Sequence, residues 1–301
     1  MKDATRLLLY LASVIVLGGW IAPPLFWLGH SPTATHLLPA LSAFDFESYF
    51  HRALLLAALL LLWPLFRSLR LRNPQDLGLE KNERAASDGM VGFLIAAIPL
   101  LACGAILIGV GVYSLRENFL WSKMPAVLIA SAAVPIVEEL FFRGFILGVL
   151  IRSVSKFTAV LLSSALFSII HFLKTPEILP NESIHWFSGF ILAGNSFSQF
   201  GDPILLAAGF LTLFVIGCVL ADARLATRSL WLSIGLHAGW IFANGSFSKA
   251  AHRERLILPW LGKDLLVGIV PLMLALASWA LVRGWLRYAN ARAAQSLSRT
   301  R

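Results

Sequence analysis

Ala133-Val134-Pro135-Ile136-Val137-Glu138-Glu139-Leu140-Phe141-Phe142-Arg143-Gly144 places two adjacent carboxylates and an arginine inside a strongly apolar run. An ionised side chain at bilayer depth costs from a few to more than about ten kcal/mol, so such residues face a protein interior or a wet cavity rather than lipid. On a helix Glu139 and Arg143 lie four apart on one face and can pair, whereas Glu138 is turned about 100° away and keeps its oxygens free. The spacing predicts a fixed, mutually neutralising Glu139–Arg143 pair and makes Glu138 the working carboxylate. The plainer alternative is a buried ion-pair staple between spans.

The surrounding chain is that of a polytopic membrane protein. Of its 301 residues 58% are hydrophobic and only 14% are charged, which excludes an ordinary soluble domain. The net charge of +9 does not imply a nucleic-acid partner, because the basic residues are scattered through short segments between apolar runs. Cys103 and Cys218 both fall in apolar spans and have neither disulfide nor metal-cluster spacing. Lys2 and Arg6 precede an apolar run that continues to Leu28 without a small-x-small cleavage site, which is expected of an uncleaved first span.

At about 20 apolar residues per crossing, helices are predicted near 6–28, 46–66, 89–113, 124–150, 157–173, 203–221, 229–247 and 262–286. Eight crossings put both termini on one side. That side's segments carry 16 Lys and Arg against 8 opposite, so the positive-inside rule makes both termini cytoplasmic. The fold class is thus all-α, one transmembrane domain over 1–301 without internal repeats. The interruptions 67–88 and 174–202 are each long enough for an interfacial helix, Ile184 to Ala193 being mostly apolar, and the tail from Asn290 to Arg301 is polar and expected to fray.

Two histidines also occupy apolar spans, His171 and His237, while the other five lie outside spans or at their edges. A lone helical His is more often a satisfied core residue than a catalyst. Three spans carrying Glu138/Glu139, His171 and His237 shift that balance, because groups costly in lipid converge on one interior site. A Glu with two His is useful in two ways: general-base activation of a water, with the second His stabilising an oxyanion, or binding of a zinc ion by Glu138, His171 and His237. The sequence does not choose between them, although the His-Glu-x-x-His string of a zincin is absent.

Asn244, seven residues after His237 and nearly on the same helical face, is a candidate oxyanion donor or an end-of-span residue bonded to backbone. Gly144, Gly148 and Gly239 are read as close-packing positions, and Pro135 as a kink in the fourth span. Phe141, Phe142, Phe145, Phe167 and Trp240 would wall an apolar cavity or simply pack a core.

Glu138-Glu139-x-x-x-Arg143, then Phe167-x-x-x-His171, then His237 approached through Ser229-Leu230-Trp231, resembles the CPBP (ABI) family of intramembrane proteases, which includes the type II CAAX prenyl endopeptidases. The resemblance covers roughly 120–245, giving N-terminal helices (1–120), a CPBP-like core (121–247) and a last helix with basic tail (248–301). It implies eight helices around a membrane-embedded catalytic cavity, Glu138 as general base, His171 helping to activate water, His237 stabilising the oxyanion, and Glu139 and Arg143 in support. Family members commonly carry Asn or Asp four residues after the third-motif His, where this chain has Ile241. The implied activity is endopeptidase cleavage of a membrane-associated peptide or lipidated protein in a bacterial inner membrane, with zinc left open. The competing readings are a non-catalytic scaffold or bacteriocin-immunity protein and a proton-coupled transporter.

Overall fold

The computed structural model describes residues 2–299 apart from 39, 40, 43, 78, 173–182, 197–202, 256, 258, 263 and 264. Two compact units are distinguished, Met1–Asn73 with Phe172–Asp202, and Pro74–His171 with Pro203–Arg301.

In the first unit α1 (Lys2–Gly29) packs along α3 (Phe46–Leu69), with α2 (Pro32–Leu37) between them in sequence and α8 (Ser188–Asn195) against α1. Asp45 caps α3 by accepting the Ser48 N–H at 2.8 Å, which satisfies one of the orphan donors of the first turn. Phe26, Phe46, Tyr49, Phe50 and Leu192 form the core. At the α1–α8 contact, a Cβ on Gly189 would strike the Gly19 backbone, so this short helix seats where no larger residue fits.

The second unit holds α4 (Ala85–Gly109), α5 (Met124–Glu139), a π-helical segment (Leu140–Ile146), α6 (Leu147–Leu150), α7 (Lys156–Phe172, up to His171 in this unit), α9 (Pro203–Leu205), a second π segment (Leu206–Phe210), α10 (Leu211–Thr227), α11 (Trp231–Ala250) and α12 (Ile269–Arg299). Its most extensive crossing is α4 on α11. A Cβ at Gly92 would come within 2.6 Å of the Leu232 carbonyl, and Cβ atoms at Gly235 and Gly239 would strike the Gly89 and Phe93 carbonyls. Three glycines, Gly92, Gly235 and Gly239, thus let two backbones touch on either side of His237, fixing its depth. α12 is tied down by indole donors: Trp285 Nε1 to Asp88 Oδ1 at 2.9 Å, and Trp279 Nε1 to Asp222 Oδ2 at 2.7 Å.

The chain is a polytopic helical membrane protein, and among the described residues six helices are long and apolar enough to cross a membrane: Asp3–Gly29, Phe46–Leu69, Ala85–Gly109, Trp121–Leu150, Ala208–Thr227 and Ile269–Arg292. The helices expected near 157–173 and 229–247 form as α7 and α11. The apolar stretch of α7, Lys156–His171, is short, and Ser233, His237, Asn244, Ser246, Ser248 and Lys249 dilute the apolarity of α11.

Three expectations are corrected. The last helix starts at Ile269, because Gly268 adopts φ +129°, which a side chain would strain, and it continues through the polar tail to Arg299. The 67–88 interruption holds a 3₁₀ turn, Pro74–Leu77, instead of an interfacial helix; of 174–202, α8 is described, while 174–182 and 197–202 lie outside the described residues. A two-stranded antiparallel ladder, β1 (Tyr113–Leu115) with β2 (Ala251–Arg253), joins the loops after α4 and α11, with Ser114 opposite His252.

Candidate active site

The fourth predicted span carries both carboxylates, but its irregularity differs from a simple proline kink. α5 contains Pro135 and ends at Glu139; the next seven residues form π turns, the Leu147 N–H reaching back to the Phe142 carbonyl. Such bulges recur at functional sites, where they re-aim side chains from a helix.

Glu139 and Arg143 pair as their spacing predicts, with Nη1 3.0 Å from Oε1 and both side chains sealed at 0% and 1% exposure. The guanidinium also donates to the Gly217 carbonyl at 3.4 Å and lies 4.2 Å over the Phe167 ring. The same Oε1 accepts Nδ1–H of His237 at 3.0 Å, so one buried oxygen holds two cation-type donors from two helices. Because Glu139 is already matched to Arg143, it remains an acceptor, and the His237 hydrogen is fixed on Nδ1.

His171 is fixed likewise. Its Nδ1 lies 2.8 Å from the Phe167 carbonyl, which can only accept, so Nδ1 carries the hydrogen and Nε2 is turned outward. That Nε2 stands 3.1 Å from Glu138 Oε2, and His237 Nε2 stands 3.8 Å from the same oxygen. Neither contact has the alignment of a directed hydrogen bond, and among the described residues Oε2 has no hydrogen-bond partner. With both Nδ1 atoms committed as donors, a neutral His171 would point its Nε2 lone pair at a carboxylate lone pair. The pair therefore needs a shared hydrogen, either a proton of its own or the O–H of a third group. Glu138 and His171 form the accessible edge of the cluster, at 25% and 29% side-chain exposure against 8% for His237.

Five of the six predicted site residues thus meet within one network. Asn244 is placed elsewhere: its Oδ1 accepts the Leu265 N–H at 3.2 Å, and seven residues of helix carry it about 10 Å along the axis from His237. Gly239 and Gly148 sit at close contacts as expected, whereas Gly144 does not need to be small, its nearest neighbour lying 3.5 Å from a built Cβ. The aromatic residues pack on one another and on the site. Phe167 meets Phe142 edge-on at 5.1 Å, stacks near His171 at 4.1 Å and faces His237 edge-on at 6.0 Å. Its place beside His171 was signalled by the four-residue step from Phe167 to His171, whereas its edge contact with His237 gave no local signal. Gly217 contributes a carbonyl and gave no sequence signal.

Among the described residues no three His, Cys, Asp or Glu side chains form a group able to hold a metal ion, while Nε2 of His171 and of His237 stand 3.1 and 3.8 Å from Oε2 of Glu138.

Residues 120–243 match the family model described as Type II CAAX prenyl endopeptidase Rce1-like. Neither the curated proteins nor the solved structures gave a match.

Proposed function

We infer that this chain, assigned by its residues 120–243 to the CPBP family of type II CAAX prenyl endopeptidase-like proteins, is an intramembrane endopeptidase whose nucleophile is a water activated by Glu138. The observation that carries this reading is the buried, unpartnered Oε2 of Glu138 with two imidazole Nε2 atoms at 3.1 and 3.8 Å. A water there donates one O–H to Oε2 and the other to Nε2 of His171, which removes the lone-pair conflict. The proton otherwise shared by that pair then resides on Nε2 of His237, whose imidazolium is supported through Nδ1 by Glu139.

Two anions, Arg143 and one imidazolium leave the cluster neutral. Glu138 accepts the water's proton as oxygen attacks the scissile carbonyl carbon, Nε2–H of His237 hydrogen-bonds the oxyanion, and Glu138 returns the proton to the departing amine as the C–N bond breaks. No step requires a metal. The substrate is a peptide bond in a membrane-associated protein, lipidated or C-terminally anchored, because Glu138 is flanked by the exposed apolar side chains of Val137 and Leu140. We place α7 and α11 as the two remaining crossings, in a bacterial inner membrane with both termini cytoplasmic.

The test is cleavage of a panel of membrane-anchored substrates by purified protein in liposomes, wild type against Glu138→Gln, with and without chelator. Cleavage lost in Glu138→Gln at normal protein yield and indifferent to chelator supports the reading, whereas chelator sensitivity overturns the metal-free form. No cleavage by wild type across the panel favours a non-catalytic scaffold, for which Ile241 in place of Asn or Asp is the specific support.

A further inference from the structure

Phe167, one turn before His171 on α7, has no proton to give or take, yet it is enclosed at 2% exposure and touches both halves of the cluster. On the buried side the guanidinium carbon of Arg143 lies 4.2 Å from its ring centroid, and the same guanidinium pairs with Glu139 at 3.0 Å. On the rim side its ring lies 4.1 Å from the imidazole of His171 at an interplanar angle of 38°, and its carbonyl accepts the Nδ1–H of that imidazole at 2.8 Å. One residue thus holds His171 by both backbone and side chain. A single hydrogen bond leaves an imidazole free to swing about the N–H···O direction, and a ring against its face removes that freedom. The direction of Nε2, 3.1 Å from Oε2 of Glu138, is then fixed.

The phenyl ring is itself held. Phe142 meets it edge-on at 5.1 Å, and Ser168 Oγ donates to the Phe210 carbonyl at 2.6 Å, which ties the adjacent backbone to the second π segment. A Cβ on Gly217 would lie 2.9 Å from that of Ser164, so α10 approaches α7 closely one turn before Phe167, and the Gly217 carbonyl accepts from Arg143 at 3.4 Å. With Arg143 at 1% exposure and Phe167 at 2%, the guanidinium and the π face meet out of water, where their attraction is strongest. The contacts close a circuit from Glu139 to Arg143, to Phe167, to His171 and to Glu138, the residue beside Glu139.

We propose that Phe167 is a positioning residue for hydrolysis: the electron-rich face of its ring, held by Arg143, sets the plane of His171 and so aims Nε2 at Glu138 and the water between them. This role rests on the protease reading, and it makes Arg143 a clamp on the ring as well as the partner of Glu139. The π face matters beyond the volume of the ring, because attraction to a guanidinium follows the ring quadrupole.

The experiment replaces Phe167 in the full chain by mono-, di- and trifluorinated phenylalanines, which keep the shape of the ring while withdrawing charge from its face, and separately by Leu. One readout is the rate at which diethyl pyrocarbonate modifies His171, followed by mass spectrometry against His252, which is 48% exposed on β2. The other is kcat and KM on a membrane-anchored reporter. Modification of His171 should rise stepwise with fluorination, by roughly threefold to tenfold at the trifluorinated ring, while His252 stays constant. Turnover should fall in the same order, by about tenfold at the trifluorinated ring and about 10²-fold in Phe167→Leu. KM should not change, because the enclosed ring cannot reach a substrate. The fluorinated rings keep the test open if Phe167→Leu does not fold. Rates indifferent to fluorination, or a loss carried by KM, would overturn the proposal and leave Phe167 as filling. A wild type that cleaves nothing overturns the protease reading instead, and the reactivity of His171 still decides whether the ring clamps the imidazole.

Discussion

Arg143→Met, alone and combined with Glu139→Leu, separates a structural ion pair from one that also serves His237. In the single variant the Glu139 carboxylate stays at 0% exposure and keeps only the His237 contact, at 3.0 Å. Removing one partner of a buried pair costs about 3–5 kcal/mol, whereas replacing both by apolar residues is often close to neutral. Arg143→Met should therefore lower the unfolding free energy by about 4 kcal/mol in an SDS titration from mild detergent, and Glu139→Leu/Arg143→Met should recover most of it. Activity should not follow stability. With Glu139 gone, Nδ1 of His237 has lost its acceptor, and hydrolysis of a membrane-anchored reporter should stay at least about 10²-fold below wild type. Recovery of activity together with stability in the double variant would refute the reasoning and leave the pair as a staple. A cost below about 1 kcal/mol for Arg143→Met would refute its electrostatic basis.

Other positions give independent expectations. Gly235→Ala forces the α4–α11 crossing apart at the Gly89 carbonyl, so it should destabilise the protein by about 1–3 kcal/mol and reduce activity by shifting His237; an unchanged unfolding midpoint would show that the crossing is not tight. Asn244→Ala removes the acceptor for the Leu265 N–H and should cost about 1 kcal/mol with only a few-fold loss of turnover, whereas a loss above about 10²-fold would return Asn244 to the oxyanion. The Ser114 hydroxyl, followed by the charge of nearby His252, lowers the pKa of exposed Glu254. A depressed carboxyl stabilises the fold above its unfolded pKa and loses that contribution as pH falls through its folded one. The β1–β2 ladder should accordingly loosen only below the ordinary carboxylate range, and hydrogen exchange at residues 113–115 should lose that acid dependence in Glu254→Gln.

Local spacing made part of the site legible. The four-residue steps from Glu139 to Arg143 and from Phe167 to His171 each describe one face of one helix, and both contacts are present. Which carboxylate His237 takes could not be read that way. It bonds Glu139 at 3.0 Å and stands 3.8 Å from Glu138, an outcome set by the depth of α11 against α4. That depth depends on Gly92, Gly235 and Gly239 each meeting the backbone of the facing helix across more than a hundred residues, and glycines are too common in membrane helices to announce such a pairing. For Asn244, two turns along the same face from His237, the backbone-bonded alternative is the one present, its Oδ1 accepting the Leu265 N–H. α11 is missing from the six long apolar helices for a related reason, since it carries enough polar side chains for the site and its surroundings to lose the apolar signature of a crossing.

The adjacency of Glu138 and Glu139 has a geometric consequence. Successive helical residues diverge by about 100°, so a Glu-Glu step at the edge of a packed helix sends one carboxylate inward and the other sideways. The inward one, Glu139, neutralises Arg143 and fixes the tautomer of His237, and both it and Arg143 are fully enclosed. The sideways one, Glu138, reaches the rim where His171 also stands and retains an oxygen that no described residue satisfies. A single carboxylate could not do both. If it compensated Arg143 it would be too encumbered to take a proton, and if it were open to a substrate the arginine would be left as an unpaired charge at membrane depth. Two neighbouring glutamates on one helix solve that conflict with no additional element, and the histidines of α7 and α11 then need only reach the two sides of the same turn.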